Sequence, residues 1–250
     1  MISRIVMVII LPGIVLVGLL IPKASGLVSW LLILGLLTIF IFLAGYIING
    51  RVLGCLIDSR NQMSLSRLQT IVWTILILSA FLAEALIRTR GHDPSAVAIS
   101  VPEQIWIVLG ISTTSLVGSP LIRNSKKDQG VRDEEEATVE SNMEALAEQD
   151  SVAAANITNI GRVVVKSDPN QASLSDMFKG DEVTDCSQLD LGKVQMFYFT
   201  LVLVLAYGVQ LGSLFLAGQF FESMPVLDSG MVALLGISHA GYLGNKATPG

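Results

Sequence analysis

Ser112 and His239 are the side chains whose types suit covalent chemistry, because a hydroxyl attacks a carbonyl when a base within hydrogen-bond reach takes its proton. Ser112 stands in Gly110-Ile111-Ser112-Thr113, and His239 is the one histidine in an apolar run. A structural, hydrogen-bonded role for His239 is the competing expectation. Other polar side chains embedded in apolar sequence are Gln69, Thr74, Glu84, Gln195, Thr200 and Gln210. The glutamines and threonines suit hydrogen bonds between helices or the lining of a narrow path. Glu84 precedes Arg88 by four residues, a spacing that predicts an ion pair on one helix face. No apolar run holds several acidic groups, so active proton or cation transport is not expected. HExxH, Walker A and dinucleotide glycine patterns are absent, and Cys55 and Cys186 are two distant thiols, so no cofactor or metal is expected.

These residues need elements to hold them, and composition says which. Of 250 residues 52% are hydrophobic and 15% charged, too few charges for a single soluble domain. Apolar runs at about 5–22, 27–50, 68–87, 104–122, 194–219 and 229–244 predict an all-α membrane protein of about six transmembrane helices. In the first run Pro12-Gly13 predicts a kink. Arg4 before that run and Ala24-Ser25-Gly26 after it also fit a cleaved signal peptide, although Lys23 and the run's length favour a retained span. Arg4, Arg51, Arg60, Arg67, Arg123, Lys126, Lys127, Arg132, Arg162, Lys166, Lys179, Lys193 and Lys246 fall on one side, with Lys23, Arg88 and Arg90 on the other. This bias places both termini in the cytoplasm.

Residues 123–192 hold 15 acidic and 7 basic side chains and read as an acidic cytoplasmic insert, which excludes a nucleic-acid partner. Arg123, Lys126 and Lys127 suit anionic headgroups. Glu134 to Ala155 favours an amphipathic helix with Val139, Met143, Leu146 and Ala147 on one face, and Ser173 can cap a second, short helix to Phe178. The insert is expected either to pack against the membrane-proximal helices or to dock a cytoplasmic protein. Asn156-Ile157-Thr158 matches a glycosylation acceptor on the wrong side of the membrane.

Shifted by 126 residues, the chain matches itself: Leu65, Gln69, Thr74 and Ala80 fall on Leu191, Gln195, Thr200 and Ala206, and Leu109-Gly110-Ile111-Ser112 on Leu235-Gly236-Ile237-Ser238. Arg67 falls on Lys193, Glu84 on Gln210, and Gly118 on Gly244. The expected organisation is a two-helix hairpin at 1–50, a first repeat at 51–122, the insert at 123–192 and a second repeat at 193–250. Ser66 with Gln69 reads as a capping box and Asp190 as a cap, leaving Arg67 and Lys193 in the headgroups. Gly110, Thr114 and Gly118, then Gly236, Ala240 and Gly244, repeat every four residues, and Gly208 with Gly212 adds another pair. Such ridges let helices approach closely where lipid supplies no hydrophobic drive.

Six spans with Gly110-Ile111-Ser112 in the fourth and His239 in the sixth loosely resemble rhomboid intramembrane proteases, which would make Ser112 nucleophile and His239 base. Thr113 stands where those enzymes carry glycine, no additional His and Asn appear, and Ser112 recurs as Ser238. Leu234-Leu235-Gly236-Ile237-Ser238-His239-Ala240-Gly241-Tyr242-Leu243, with Leu189 to Gln195, Ser175-Asp176-Met177-Phe178 and Ser64 to Gln69, resembles a set of uncharacterised bacterial multipass inner-membrane proteins. That resemblance covers about the C-terminal third and implies a bacterial inner membrane, with no activity attached. The leading expectation is a non-enzymatic, lipid-embedded homo-oligomer with a possible pore. A passive channel and the protease are the alternatives.

Overall fold

The computed structural model describes residues 26–218 and 220–247, and of the preceding part only Pro12, Gly13 and Leu16. The first expected span and its cleavage question thus lie outside the described residues. The described chain is mostly helical: α1 (Gly26–Asn49), α2 (Leu65–Arg90), α3 (Glu103–Lys127), α4 (Glu136–Gln149), α5 (Leu191–Ala217) and α6 (Ser229–Ala247), with one hairpin of β1 (Ile157–Ile160) and β2 (Val163–Lys166). Four helices, α1, α2, α3 and α5, are long and apolar enough to cross a membrane. The sixth expected span forms a helix, but Ser238, His239, Asn245 and Lys246 dilute its apolarity and it is not among those four.

Two compact units divide the chain, and α2, α3, α5 and α6 each contribute residues to both. In the first (residues 1–55, 69–110 and 200–234), α1 seats on α2 and α5 through Trp30. Its indole donates to Ser79 Oγ at 3.1 Å and stacks on Phe215 at 5.3 Å, while Gly212 leaves room for the ring. α1 ends where Gly50 takes φ +70°, its N–H closing back on Tyr46 O at 2.9 Å, the left-handed stop that glycine makes without strain. The 3-10 turn Val52–Leu56 then crosses α1 so closely that a Cβ on Gly45 would strike the backbone of Gly54 and Cys55. Gly45→Val should therefore cost about 3 kcal/mol, the upper end of overpacking, read as a lowered unfolding midpoint of the solubilised protein.

Within this unit the expected Glu84–Arg88 pair does not form. Arg88 Nε instead meets Asp93 at 2.6 Å in the turn after α2, and Glu84 accepts the backbone N–H of Phe221 at 3.2 Å. A carboxylate just beyond the helix end lies within reach of Arg88, so the local i, i+4 partner loses. Gln69 Nε2 donates to Thr200 Oγ1 at 2.7 Å, joining α2 to α5. α2 starts at Leu65, so Ser64 stands just before its first helical residue and Ser66 within its first turn.

The second unit (residues 56–68, 111–199 and 235–250) contains the insert. Leu146, Ala147, Ile157, Val164, Val183 and Cys186 form its core, with Val139 and Met143 of α4 packed on them, which is the amphipathic face the spacing predicts. α4 is shorter than expected because the chain turns at Asp150 and Ser151 into β1. Ser173 caps a 3-10 turn, Leu174–Met177, and Asp190 Oδ1 accepts the N–H of Lys193 at 3.1 Å at the start of α5. Burial lifts the Cys186 thiol to about 12, so it should resist maleimide at neutral pH until the insert is unfolded.

Candidate functional site

The segment between α1 and α2 folds back on itself at Ile57 and Met63, with Asn61 at φ +57°. The insert grips this loop through its backbone: Lys166 N–H donates to Arg60 O at 2.9 Å, Asn61 Nδ2 to Lys166 O at 2.7 Å, and Met63 N–H to Asp176 Oδ2 at 3.2 Å. Arg60 is thereby held inside, 3% exposed, where its guanidinium must find carboxylates.

It finds two. Arg60 Nε and NH2 take Asp58 Oδ2 at 3.0 Å each, and NH1 takes Asp181 Oδ1 at 2.8 Å. Asp181 is the hub, also accepting Lys193 of α5 at 3.0 Å and Lys246 of α6. Lys246 donates further to Ser119 Oγ at 2.7 Å and Tyr242 Oη at 2.9 Å. Arg123 of α3 meets Asp58 at 3.2 Å. The insert is thus fastened to α3, α5 and α6 by charges that water does not screen. Arg123, Lys126 and Lys193 were expected in headgroups, yet each is buried on a carboxylate: α3 continues to Lys127, which turns Arg123 and Lys126 inward to Asp58 and Glu182.

Two further buried networks stitch the insert. Lys166, fully buried, contacts Asp150 at 2.8 Å and Asp176 at 2.7 Å, while Lys179 reaches Asp150 at 2.7 Å. Arg162 contacts Glu135 at 2.8 Å and Glu182 at 3.2 Å, and Lys126 shares Glu182.

The carboxyls of the hub respond in a definite direction. Burial by itself would raise Asp181, but Arg60, then Lys193 and Lys246, outweigh it and hold the carboxyl well below its usual range. Asp58 is lowered in the same way, burial opposing and Arg60 then Arg123 prevailing. Asp176 goes the other way, burial prevailing over Lys166. A depressed carboxyl contributes stability that is present above its unfolded value, about 4, and is lost as pH falls through the folded value. Unfolding midpoints should therefore drop as acid is added below about pH 4, whereas the raised carboxyl of Asp176 adds its stability earlier, as pH falls towards about 4.

The Ser112 and His239 of the protease alternative are not hydrogen-bonded to each other. His239 Nδ1 meets Ser115 Oγ at 2.5 Å instead, with both residues buried, and Nε2 has no hydrogen-bond partner among the described residues. The Ser115–His239 contact joins α3 to α6. Ser115 and Ser119 face His239, Tyr242 and Lys246 across this contact. Of the small residues, Gly118 packs on Leu243, Gly236 on Ile111, Gly208 on Leu76 and Gly212 on Trp30, whereas Gly110 and Gly244 have open space. Thr114 and Ala240 are exposed, as are Gln195 and Gln210, and Thr74 is half-buried. Among the described residues no group of three or more His, Cys, Asp or Glu could hold a metal.

Asp58, Arg60, Asp181 and Lys246 were not singled out as a site from the sequence. One signal was available: Ser112, Ser115 and Ser119 share a helix face, and His239, Tyr242 and Lys246 share another, two polar stripes that must meet something. Fold and site together define a helical membrane protein whose insert is ion-paired to helix ends. Comparison of the chain with protein-family models, curated proteins and solved structures finds no match.

Proposed function

We propose that the chain is a non-enzymatic integral membrane protein of a bacterial inner membrane that associates with further copies of itself through small-residue helix faces, its insert and both termini cytoplasmic. The observation that carries this is the division among the glycines: Gly118, Gly208, Gly212 and Gly236 meet side chains of the same chain, while a Cβ on Gly110 or Gly244 would meet nothing within 4 Å. Exposed Thr114 and Ala240 extend those open faces by one helical turn, so a neighbouring helix can approach closely there. The matching of residues at an offset of 126 supports a repeated two-helix unit, with α6 as a sixth span and the first run as a retained one. Membrane lipids are the remaining partner, and the insert offers a surface to a cytoplasmic protein.

The test is the mass of the detergent- or nanodisc-solubilised particle. A defined oligomer that Gly110→Leu and Gly244→Leu reduce to smaller species, with Ser112→Ala unchanged, is the expected result. A clean monomer overturns self-association. Gly236→Leu is the contrasting variant, since a Cβ there already lies 3.4 Å from Ile111 Cδ1; it should lower stability without a selective effect on mass.

A further inference from the structure

The three buried charge networks of the second unit differ in their balance. Lys166 and Lys179 face Asp150 and Asp176, and Lys126 and Arg162 face Glu135 and Glu182, apart from the exposed Arg132 on Glu135 at 4.0 Å. Each of these is neutral. The hub is not: among the described residues four buried cations, Arg60, Arg123, Lys193 and Lys246, are in ion-pair contact with two carboxylates, Asp58 and Asp181, a surplus of positive charge within that set. Buried charge without a counter-charge is strongly unfavourable.

One of these cations, Arg123, borders a cavity. A space of about 80 Å³, several times what one water molecule occupies, is lined by Arg123, Arg67, Asp58, Ser64, Ser66 and Ser119 among others. Asp58 is already engaged by Arg60, and among the described residues Arg123 contacts no other carboxylate, so most of its five N–H donors are uncommitted to the network. Ser64 and Ser66 stand at the first turn of α2, the positive end of a 26-residue helix dipole. Arginines, hydroxyls and a helix N-terminus converging on a small cavity are the donor set that a tetrahedral oxyanion requires.

We propose that this cavity binds a phosphate-type oxyanion, held by Arg123 and Arg67 and by the serine hydroxyls, which neutralises the buried surplus and braces α2 against α3. The chemistry is shared by inorganic phosphate and by the phosphate of an anionic lipid headgroup.

The test uses the full chain in detergent, following thermal unfolding while inorganic phosphate is titrated against chloride at constant ionic strength. In parallel, short-chain phosphatidylglycerol is titrated against short-chain phosphatidylcholine. A saturable rise in unfolding temperature is expected, weakened at least about tenfold in apparent affinity by Arg123→Gln and Arg67→Gln, the loss of one charged hydrogen-bonding partner, and retained by the charge-matched Arg132→Gln. A response to phosphate alone identifies the free ion as ligand; a response to phosphatidylglycerol but not to phosphate or phosphatidylcholine identifies the headgroup. Ser59, exposed at the rim, gives a variant that does not disturb the buried pairs. Ser59→Glu should raise the unfolding temperature in anion-free buffer and abolish the response. No saturable response to either probe, a loss equal in Arg132→Gln, or a response that survives Ser59→Glu overturns the proposal.

Discussion

Asp181→Asn should unfold the solubilised protein about 3–5 kcal/mol more easily at neutral pH, because it removes the carboxylate common to three buried cations while leaving their charges in place. Asparagine keeps the shape and one acceptor oxygen, so the loss is electrostatic. Lys246→Met should cost less, since Asp181 retains Arg60 at 2.8 Å and Lys193 at 3.0 Å. The double variant Asp181→Asn with Lys246→Met should cost less than the two single losses combined, because the second change removes one of the cations the first has stranded. Limited proteolysis gives an independent readout: the insert of Asp181→Asn should be cut faster than that of the parent, as Asp181 ties it to both Lys193 of α5 and Lys246 of α6. Acid should remove the difference. Asp181 in the parent becomes protonated as pH falls through its depressed folded value, so the gap between parent and Asp181→Asn should close in strong acid.

Lys166→Met should also cost about 3–5 kcal/mol, by stranding anions instead of cations. Lys166 is fully buried and bonds Asp150 at 2.8 Å, Asp176 at 2.7 Å and Gln171 O at 3.0 Å. Asp150 keeps Lys179 and Ser175, each at 2.7 Å, so Asp176 carries the loss. Its carboxyl is already raised by burial with Lys166 present, and removal of the ammonium raises it further. The variant should therefore regain stability relative to the parent as pH falls through that raised value and Asp176 becomes neutral. Denaturant unfolding at neutral and mildly acidic pH measures both the loss and its recovery. Since Asp176 also accepts the N–H of Met63, the loop carrying Arg60 should loosen with it, and hydrogen exchange at Met63 should accelerate.

Apolar runs were enough to locate α1, α2, α3 and α5, because a helix crossing lipid must satisfy its backbone internally and present apolar side chains over its whole length. The same logic located the face of α4 that packs on Ile157 and Val164, and Asp190 as the cap of α5. The β1–β2 hairpin was missed: Ile157–Ile160 and Val163–Lys166 are four residues each, too short for alternation to register against a helix-favouring stretch. Arg88 was paired with Glu84 on spacing, yet Asp93 in the following turn takes it.

Charge gives an expectation of orientation and is illegible as architecture. Arg60, Arg123, Lys193 and Lys246 all count as basic residues on one side of a membrane when the sequence is read linearly, and each is read as facing water or headgroups. The fold brings Arg60 to Asp181 across 121 positions and Lys246 across 65. Composition and periodicity by themselves determined that this is a helical membrane protein with an acidic insert and small-residue ridges, because burial in lipid acts on every residue of a segment at once. Which carboxylate neutralises which cation, and where positive charge is left over beside a cavity, was decided only by the tertiary structure, because Coulomb attraction and desolvation depend on distances that no local pattern encodes.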